Sequence, residues 1–272
     1  MLRIEIICVG NELLTGLTVN TNASWLSQEI YKLGCVVARH TVVGDDVDCI
    51  AEAVKESLKR HTDLLIMTGG LGPTYDDKTL EGVAKALRRR LEVNEQALRY
   101  VEAKYRELAE RGVIAKFELT PARVKMATLP SKSVPLRNPV GTAPAVMMNY
   151  KTSKIFCLPG VPAEMKAIFE ESVAPLIKQL IGDLFVAEGY LEVKNLPESS
   201  LAPILDKVVE KQHGVYVKSH PRGFEGSEPK LEIYISVTKP SKAEAEALKE
   251  EVISELTTAI YEAGGKARRK RP

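Results

Sequence analysis

The sequence predicts an α/β protein: a mostly parallel sheet sandwiched by helices over residues 1–182, then a small α+β domain at 183–264 and a basic tail at 265–272. Three observations carry this. Apolar runs of strand length alternate with stretches of helical periodicity through the first two-thirds of the chain, the pattern of strands buried on both faces. Gly- and Pro-rich turns follow several of those runs. After Gly182 the pattern changes to strand, helix, strand, strand, helix. A chain of 272 residues has room for one large core or two modest ones.

Taken in order, Ile4–Val9 is a short apolar run that fits a buried strand. Asn22 is a candidate cap for a helix placing Trp25, Leu26, Ile30 and Leu33 on one face and stopping at Gly34. Residues 35–43 are β-branched and strand-like. Asp45 or Asp46 then caps a helix whose Val47, Ile50, Val54 and Leu58 recur at spacings of three and four. Residues 64–67 form a third buried strand that runs into Thr68-Gly69-Gly70. Helices follow at about 79–90, burying Leu80, Val83, Ala84 and Leu87, and from Asn94, with Leu98, Val101, Tyr105 and Leu108 on one stripe. Thr120-Pro121 pairs a cap with a proline at the first helical position. Two strands, 145–149 and 154–158, precede a helix carrying Met165, Ile168, Phe169 and Val173. The second domain reads as strands at 184–193, 215–218 and 231–237, with helices at 198–213 and 241–261.

Lys and Arg number 38 against 36 Asp and Glu, so the net charge of +2 provides no global field toward nucleic acid or a membrane. The excess is partly local, in Arg88-Arg89-Arg90 and in the 266–271 run, which reads as a frayed, solvated tail. The first thirty residues do not resemble a leader, and no apolar run approaches the ~20 residues a membrane helix needs. Cys8, Cys35, Cys49 and Cys157 are scattered with no C-x-x-C pair, which fits reduced core thiols and a cytoplasmic protein. Few Asn and Gln beside many Lys, Arg and Glu is a composition seen in thermophiles.

The chemistry concentrates in Thr68-Gly69-Gly70-Leu71-Gly72-Pro73-Thr74-Tyr75-Asp76-Asp77-Lys78-Thr79. The segment leaves a buried strand and enters a helix, where backbone N–H groups and the helix dipole favour an anion. Gly69, Gly70 and Gly72 let the backbone approach a phosphate, and Thr74 adds a hydroxyl. The spacing is neither the P-loop nor the dinucleotide fingerprint. Asp76 and Asp77 beside a phosphate repel it unless a cation such as Mg²⁺ bridges them. The structural alternative is a Gly-rich turn with Asp76 or Asp77 capping the helix. Gly10-Asn11-Glu12-Leu13-Leu14-Thr15-Gly16 ends another strand and is followed by Asn20-Thr21-Asn22. Here Asn11, Asn20 and Asn22 offer hydrogen bonds to a ribose or base, and Glu12 a carboxylate for water or metal, or the segment is simply a turn and a capped helix. Asn138-Pro139-Val140-Gly141-Thr142-Ala143-Pro144 and Leu158-Pro159-Gly160-Val161-Pro162-Ala163-Glu164-Met165 are rigid loops that either rim the same cleft or serve structure alone.

These four stretches resemble, in order, the N-terminal part of the competence/damage-inducible protein CinA family, a branch of the molybdopterin-binding fold. The resemblance covers roughly residues 4–180, and its most specific element is T-G-G-L-G-P-T-x-D-D-x-T. It implies a divalent-cation-dependent ADP-ribose pyrophosphatase, with Mg²⁺, Co²⁺ or Mn²⁺ as the metal and K⁺ as an assistant. It also implies a small-molecule nucleotide substrate and a homodimer or homotrimer. Carried over, Gly69, Gly70 and Gly72 cradle the pyrophosphate, Asp77 with Asp76 holds the metal, and Asp76 or Glu12 accepts the proton. Gly10, Asn11, Asn22, Thr68, Thr74, Asn138, Gly141, Thr142, Pro144 and Gly160 line the cleft. The family often has Gly where this chain has Ala145. The family's separate domain that deamidates nicotinamide mononucleotide has no counterpart here, so no deamidase activity is expected.

The remainder resembles the small KH-like domain of that family. Its Gly223-Phe224-Glu225-Gly226 has the G-x-x-G form that clamps single-stranded RNA, but acidic Glu225 suits phosphate poorly, so nucleic acid is not the expected partner. His213 and His220 show no metal-ligand spacing. The alternatives to pyrophosphate hydrolysis are molybdopterin binding or adenylylation, FAD hydrolysis, and a nucleotide sensor without turnover.

Overall fold

The structure, a computed structural model, describes residues 2–222 and 230–270. It divides into two compact units, residues 1–31 with 35–181, and residues 32–34 with 182–272. No helix of the described residues is long and apolar enough to cross a membrane.

In the first unit the elements are β1 (Ile4–Val9), α1 (Asn11–Leu14), α2 (Thr21–Lys32), β2 (Val37–Val43), α3 (Val47–Lys59), β3 (Leu64–Thr68), α4 (Thr79–Leu87), β4 (Leu91–Val93), α5 (Glu95–Glu110), α6 (Pro121–Met126), β5 (Thr128–Pro130), β6 (Ser133–Leu136), β7 (Ala145–Tyr150), β8 (Ser153–Leu158) and α7 (Pro162–Ile168). A π-helical turn, Phe169–Val173, joins α7 to α8 (Ala174–Ile181). The main sheet has the order β2-β1-β3-β8-β7-β6. β2, β1, β3 and β8 are parallel neighbours, while β7 and β6 are antiparallel additions. This is the mostly parallel, helix-covered sheet that the alternation of runs predicts.

The strands are apolar on both faces because both are covered. Ile7, Val9, Leu65, Met67, Ile155 and Cys157 share a core with Ile50 and Val54 of α3, Val83 and Leu87 of α4, and Val101 of α5. The alternate residues Ile4, Ile6, Leu64, Ile66, Phe156 and Leu158 are equally buried and face the other way. Each such side chain contributes about 1.5–3 kcal/mol on leaving water.

Glu5 is the exception, a carboxylate 1% exposed near the start of β1. Arg60, just past α3, grips it in a fork, Nε at 3.0 Å from Oε1 and Nη2 at 2.8 Å from Oε2. Burial pushes the Glu5 pKa up, but hydrogen bonds from Arg60, Thr62 and Ser57 outweigh it and leave the carboxyl below its ordinary value.

Local chemistry sets the helix ends, with some shifts from the sequence reading. Asp46, not Asp45, caps α3, accepting from the amides of Asp48 and Cys49 at 2.9 Å each. Asn94 and Thr120 cap α5 and α6. Asn22 is not a cap: Asn20 accepts from Ala23 N at 3.1 Å, starting α2 one turn position earlier and freeing Asn22 for other contacts. The helix predicted to reach Arg90 ends at Leu87, where Arg88 turns left-handed at φ +54°. Strand β2 starts at Val37, two residues later than expected. The short strands β4, β5 and β6 were not foreseen, because three- and four-residue segments carry no periodicity of their own.

In the second unit, β9 (Phe185–Lys194), α9 (Glu198–Lys211), β10 (Val215–Pro221), β11 (Lys230–Lys239), α10 (Lys242–Glu262) and β12 (Lys266–Lys270) form an antiparallel sheet of order β10-β11-β9-β12. Its core joins Leu191, Val193, Ile233 and Ile235 of the sheet to Leu201 and Leu205 of α9 and Val252 and Leu256 of α10. Residues 266–270, read as a solvated tail, instead form β12 on the edge of β9. Arg269 pairs with Glu250 of α10 at 2.6 Å and Lys270 with Glu232 of β11, so carboxylates distant in sequence offset the like-charge run. The Gly223-Phe224-Glu225-Gly226 loop lies outside the described residues.

Replacing Arg60 by Ala is expected to cost about 3 kcal/mol at neutral pH, because the buried Glu5 charge loses its two-pronged partner and keeps only the longer contact to Arg3 at 3.5 Å. Since the folded Glu5 pKa is depressed, its contribution is complete above the unfolded value near ~4.3 and is lost as pH falls through the folded value. Denaturant titrations between neutral and acid pH check both points. An Arg60→Ala protein as stable as wild type at neutral pH would refute the role given to the pair.

Candidate functional site

The carboxyl ends of β1, β3 and β8 lie side by side, since Cys8 pairs with Thr68 and Thr68 with Leu158. The antiparallel strands bring the end of β6 and the start of β7 to the same edge, where Leu136 opposes Ala145. All four Gly-bearing stretches of the sequence therefore open from one sheet edge, the position where α/β sheets bind ligands.

Gly69 makes that convergence physical. Its φ is +104°, and a Cβ there would lie 2.1 Å from the Val9 carbonyl oxygen. A Cβ on Gly160 would lie 3.3 Å from the Gly69 Cα. The Gly69 amide donates to the Leu158 carbonyl at 3.1 Å, so it continues the sheet and is not available to a phosphate, as the sequence reading had assumed. The amides of Gly70, Leu71 and Gly72 donate to no group among the described residues. Thr79 pins the far end of the loop: its amide donates to the Gly70 carbonyl at 3.2 Å and its buried hydroxyl to that of Gly69 at 2.8 Å. Neither Asp76 nor Asp77 caps α4, whose cap position is Lys78 without a side-chain bond.

The two aspartates face inward on the loop. Thr74 Oγ1 lies 2.5 Å from both Asp76 Oδ1 and Asp77 Oδ2, and Thr74 N donates to Asp77 Oδ2 at 2.8 Å. One hydroxyl proton serves two carboxylates, so three hard oxygens are gathered around one spot. The Thr74 hydroxyl holds the Asp76 carboxyl below its usual range, helped by its own backbone amide and by the nearby charges of Lys125 and Lys78. A Cβ on Gly72 would come 2.7 Å from Asp77 Oδ2, so the absence of a side chain there makes room for that carboxylate.

Asn22 ties two of the stretches together. Its Nδ2 donates to the Gly160 carbonyl at 2.8 Å and to Thr68 Oγ1 at 3.2 Å, while Thr68 donates onward to the Pro159 carbonyl at 2.9 Å. A flipped amide would set oxygen against oxygen at Gly160. The Asn22 Oδ1 is thereby fixed as a buried acceptor with no partner among the described residues. Asn11 exchanges bonds with Asp45, N to Oδ2 at 2.8 Å and Oδ1 from the Asp45 amide at 3.3 Å. Glu12 folds its carboxylate over Gly10, where a Cβ would meet Oε1 at 2.4 Å.

Residues 5–179 match the family described as a probable molybdopterin binding domain. The chain belongs to that family. A protein of Pyrobaculum arsenaticum is 46% identical over 251 residues, covering 92% of each chain. One of Aeropyrum pernix is 43% identical over 265 residues, covering 97% of this chain and 95% of its own. Among solved structures, the protein CinA of Thermoplasma acidophilum, described as of unknown function, superposes with a TM-score of 0.58 at 40% identity, over 64% of this chain and 97% of that one.

Within this family domain, the Asn138 side chain is fully occupied by its own loop and by α7. It accepts from the amides of Val140 and Gly141 and donates to the Ala143 carbonyl and to Glu164 Oε2 at 2.6 Å. Gly141 sits against the same Glu164 carboxylate. Thr142 is half-buried, as Gly72 is, and contacts Met126 Sδ at 3.9 Å, whereas Pro144 is buried.

Two residues at the site were missed from sequence. Lys125 of α6 donates to the Thr74 carbonyl. No motif marks it, because only the packing of α6 brings it to the loop. Glu164 stood inside a quoted motif, but its partner Asn138 lies 26 positions away. A cavity of ≈ 50 Å³ behind the loop, touched by Gly70, Gly72, Asp77 and Lys125, holds little more than a water or two.

Gly69→Ala is expected to cost about 3 kcal/mol or more, left-handed strain adding to overpacking against Val9. Gly16→Ala, at φ +75° with nothing within 4 Å, should cost only about 1 kcal/mol. Chemical denaturation of both variants separates the two effects, and equal losses would show that the Val9 contact relaxes freely.

Proposed function

We propose that the chain hydrolyses a nucleotide pyrophosphate in a divalent-metal-dependent reaction, with ADP-ribose giving AMP and ribose 5-phosphate as the leading case. The observation that carries the reading is the juxtaposition of three unspent amides, Gly70 to Gly72, with the oxygens of Thr74, Asp76 and Asp77 at one sheet edge.

The donor set fits a hard cation. Among the described residues no group of three or more His, Cys, Asp or Glu is gathered for a metal. An ion held here would be bound by two carboxylates and would complete its shell with water and substrate phosphate, the habit of Mg²⁺ rather than of a structural zinc. When bound at Asp77 and Asp76, such an ion supplies charge neutralisation at the pyrophosphate and a more acidic water.

The chain's own residues do the rest. The Gly70, Leu71 and Gly72 amides take the phosphoryl oxygens as charge builds on them. The lowered pKa of Asp76 keeps it ionised, which suits holding a cation and makes it a weak proton acceptor. That leaves Glu12, at the end of the adjacent strand β1, to take the proton as a water oxygen bonds to phosphorus and the bridging P–O bond breaks. Asn22 Oδ1 is the acceptor suited to a sugar hydroxyl. Tyr75, 89% exposed on the loop, offers a ring to the base.

A second reading rests on the family description: the same cradle would hold the phosphate of a molybdopterin, with or without adenylylation. The two separate by product analysis with ADP-ribose, FAD and NAD in Mg²⁺, Co²⁺ or chelator. Metal-dependent AMP release is expected from ADP-ribose, falling about 100-fold or more in Asp77→Ala. Glu12→Gln should lower turnover while leaving substrate affinity nearly unchanged. Absence of turnover with a pterin still bound would replace hydrolysis by the molybdopterin reading.

A further inference from the structure

We infer that the face of the second unit's sheet turned away from α9 and α10 binds single-stranded nucleic acid through lysines aligned across three neighbouring strands. The register places Lys230 of β11 opposite Lys194 of β9, and Lys194 opposite Lys266 of β12. Residues paired in register share a face, so three ammonium side chains stand in one row, with neighbouring strands ~4.8 Å apart. Like charges directly opposite destabilise a sheet. A fold that keeps three of them in line carries a cost that an anionic partner would remove.

The nearby acids offset it only at the central lysine, Lys194. Glu232 is claimed by Arg222 at 2.7 Å and by Lys270, which together draw its pKa down to about 2. Glu192 lies 3.5 Å from Lys194 and serves that lysine alone. Lys230, Lys266 and Arg268 are exposed and have no carboxylate within ion-pair distance among the described residues. A concavity of ≈ 890 Å³ opens over this area, lined by Arg222, Lys230, Arg268 and Lys270 with Glu192 and Glu232.

The shape of the charge selects the ligand. The outer lysines are two strand spacings apart, ~10 Å, too far for one phosphate and suited to a chain of them. On β10, Lys218 and His220 extend the basic band on the same face, and Tyr216, 52% exposed, adds a ring beside them. Cations tracking a backbone beside an exposed aromatic ring are what unpaired bases require, whereas a duplex keeps its bases stacked inside. The Glu225-bearing loop, on which the expectation that nucleic acid is no partner rested, lies outside the described residues. The proposal is also independent of the pyrophosphate site.

The test is fluorescence anisotropy of the full chain with a labelled oligouridylate and its deoxythymidylate counterpart across a salt series. Log affinity should fall with log salt, at a slope of about −0.7 per phosphate neutralised. The triple variant Lys194→Gln, Lys230→Gln, Lys266→Gln should bind about tenfold weaker or worse at low salt, with a slope shallower by about 2. It should also melt no lower than wild type, because the like-charge row is relieved, which a merely damaged fold would not do. Tyr216→Ala should weaken binding about fivefold without changing the slope. No binding by wild type at low salt would overturn the proposal, as would an unchanged slope in the triple variant. So would a polyglutamate that competes as well as the oligonucleotide, since the face would then be reading charge on an acidic protein.

Discussion

The site depends on one close approach, that of the Gly69 backbone to the Val9 carbonyl and to Gly160. Three strand ends meet there with no side chain between them. The Gly69 amide extends the sheet to Leu158 and its carbonyl receives the Thr79 hydroxyl, so the loop is anchored at its origin and again at its return. Between those anchors the backbone turns outward with three amides unspent. Asn22 reaches across the same junction to Thr68 and Gly160, which holds α2, β3 and the β8 exit together.

Electrostatics on the loop follows from that anchoring. Thr74 gathers Asp76 and Asp77 within 2.5 Å, and Lys125 ties the Thr74 carbonyl to α6. Two carboxylates beside three amides form a surface of mixed charge, the feature on which the proposed cation-assisted reaction rests. The buried fork between Glu5 and Arg60 solves a different problem at the opposite end of β1, where a charge inside the sheet is tolerated because Arg60 donates to both carboxylate oxygens.

The second unit shows how a net charge can mislead. A balance of +2 over the chain conceals a face on which lysines from three strands stand in register. Those lysines are separated in sequence by tens of positions. Only strand pairing sets them side by side, and only the same pairing turns residues 266–270 from a basic run into an edge strand.

What the sequence alone determined was local. Apolar runs marked the buried strands, Asn94, Thr120 and the Asp45-Asp46 pair marked helix starts, and glycines where no Cβ fits marked the turns at the strand ends. These signals are legible because propensity, capping and left-handed φ act within a few residues. The tertiary structure decided the rest. It moved the α2 cap from Asn22 to Asn20 and gave Asn22 to Thr68 and Gly160. It spent the Gly69 amide on the sheet and turned Asn138 inward onto Glu164. It brought Lys125 to the loop and paired β4 with β5. The reason is physical: a hydrogen bond goes to whichever partner packing places within about 3 Å, and that partner is set by the fold rather than by chain neighbours.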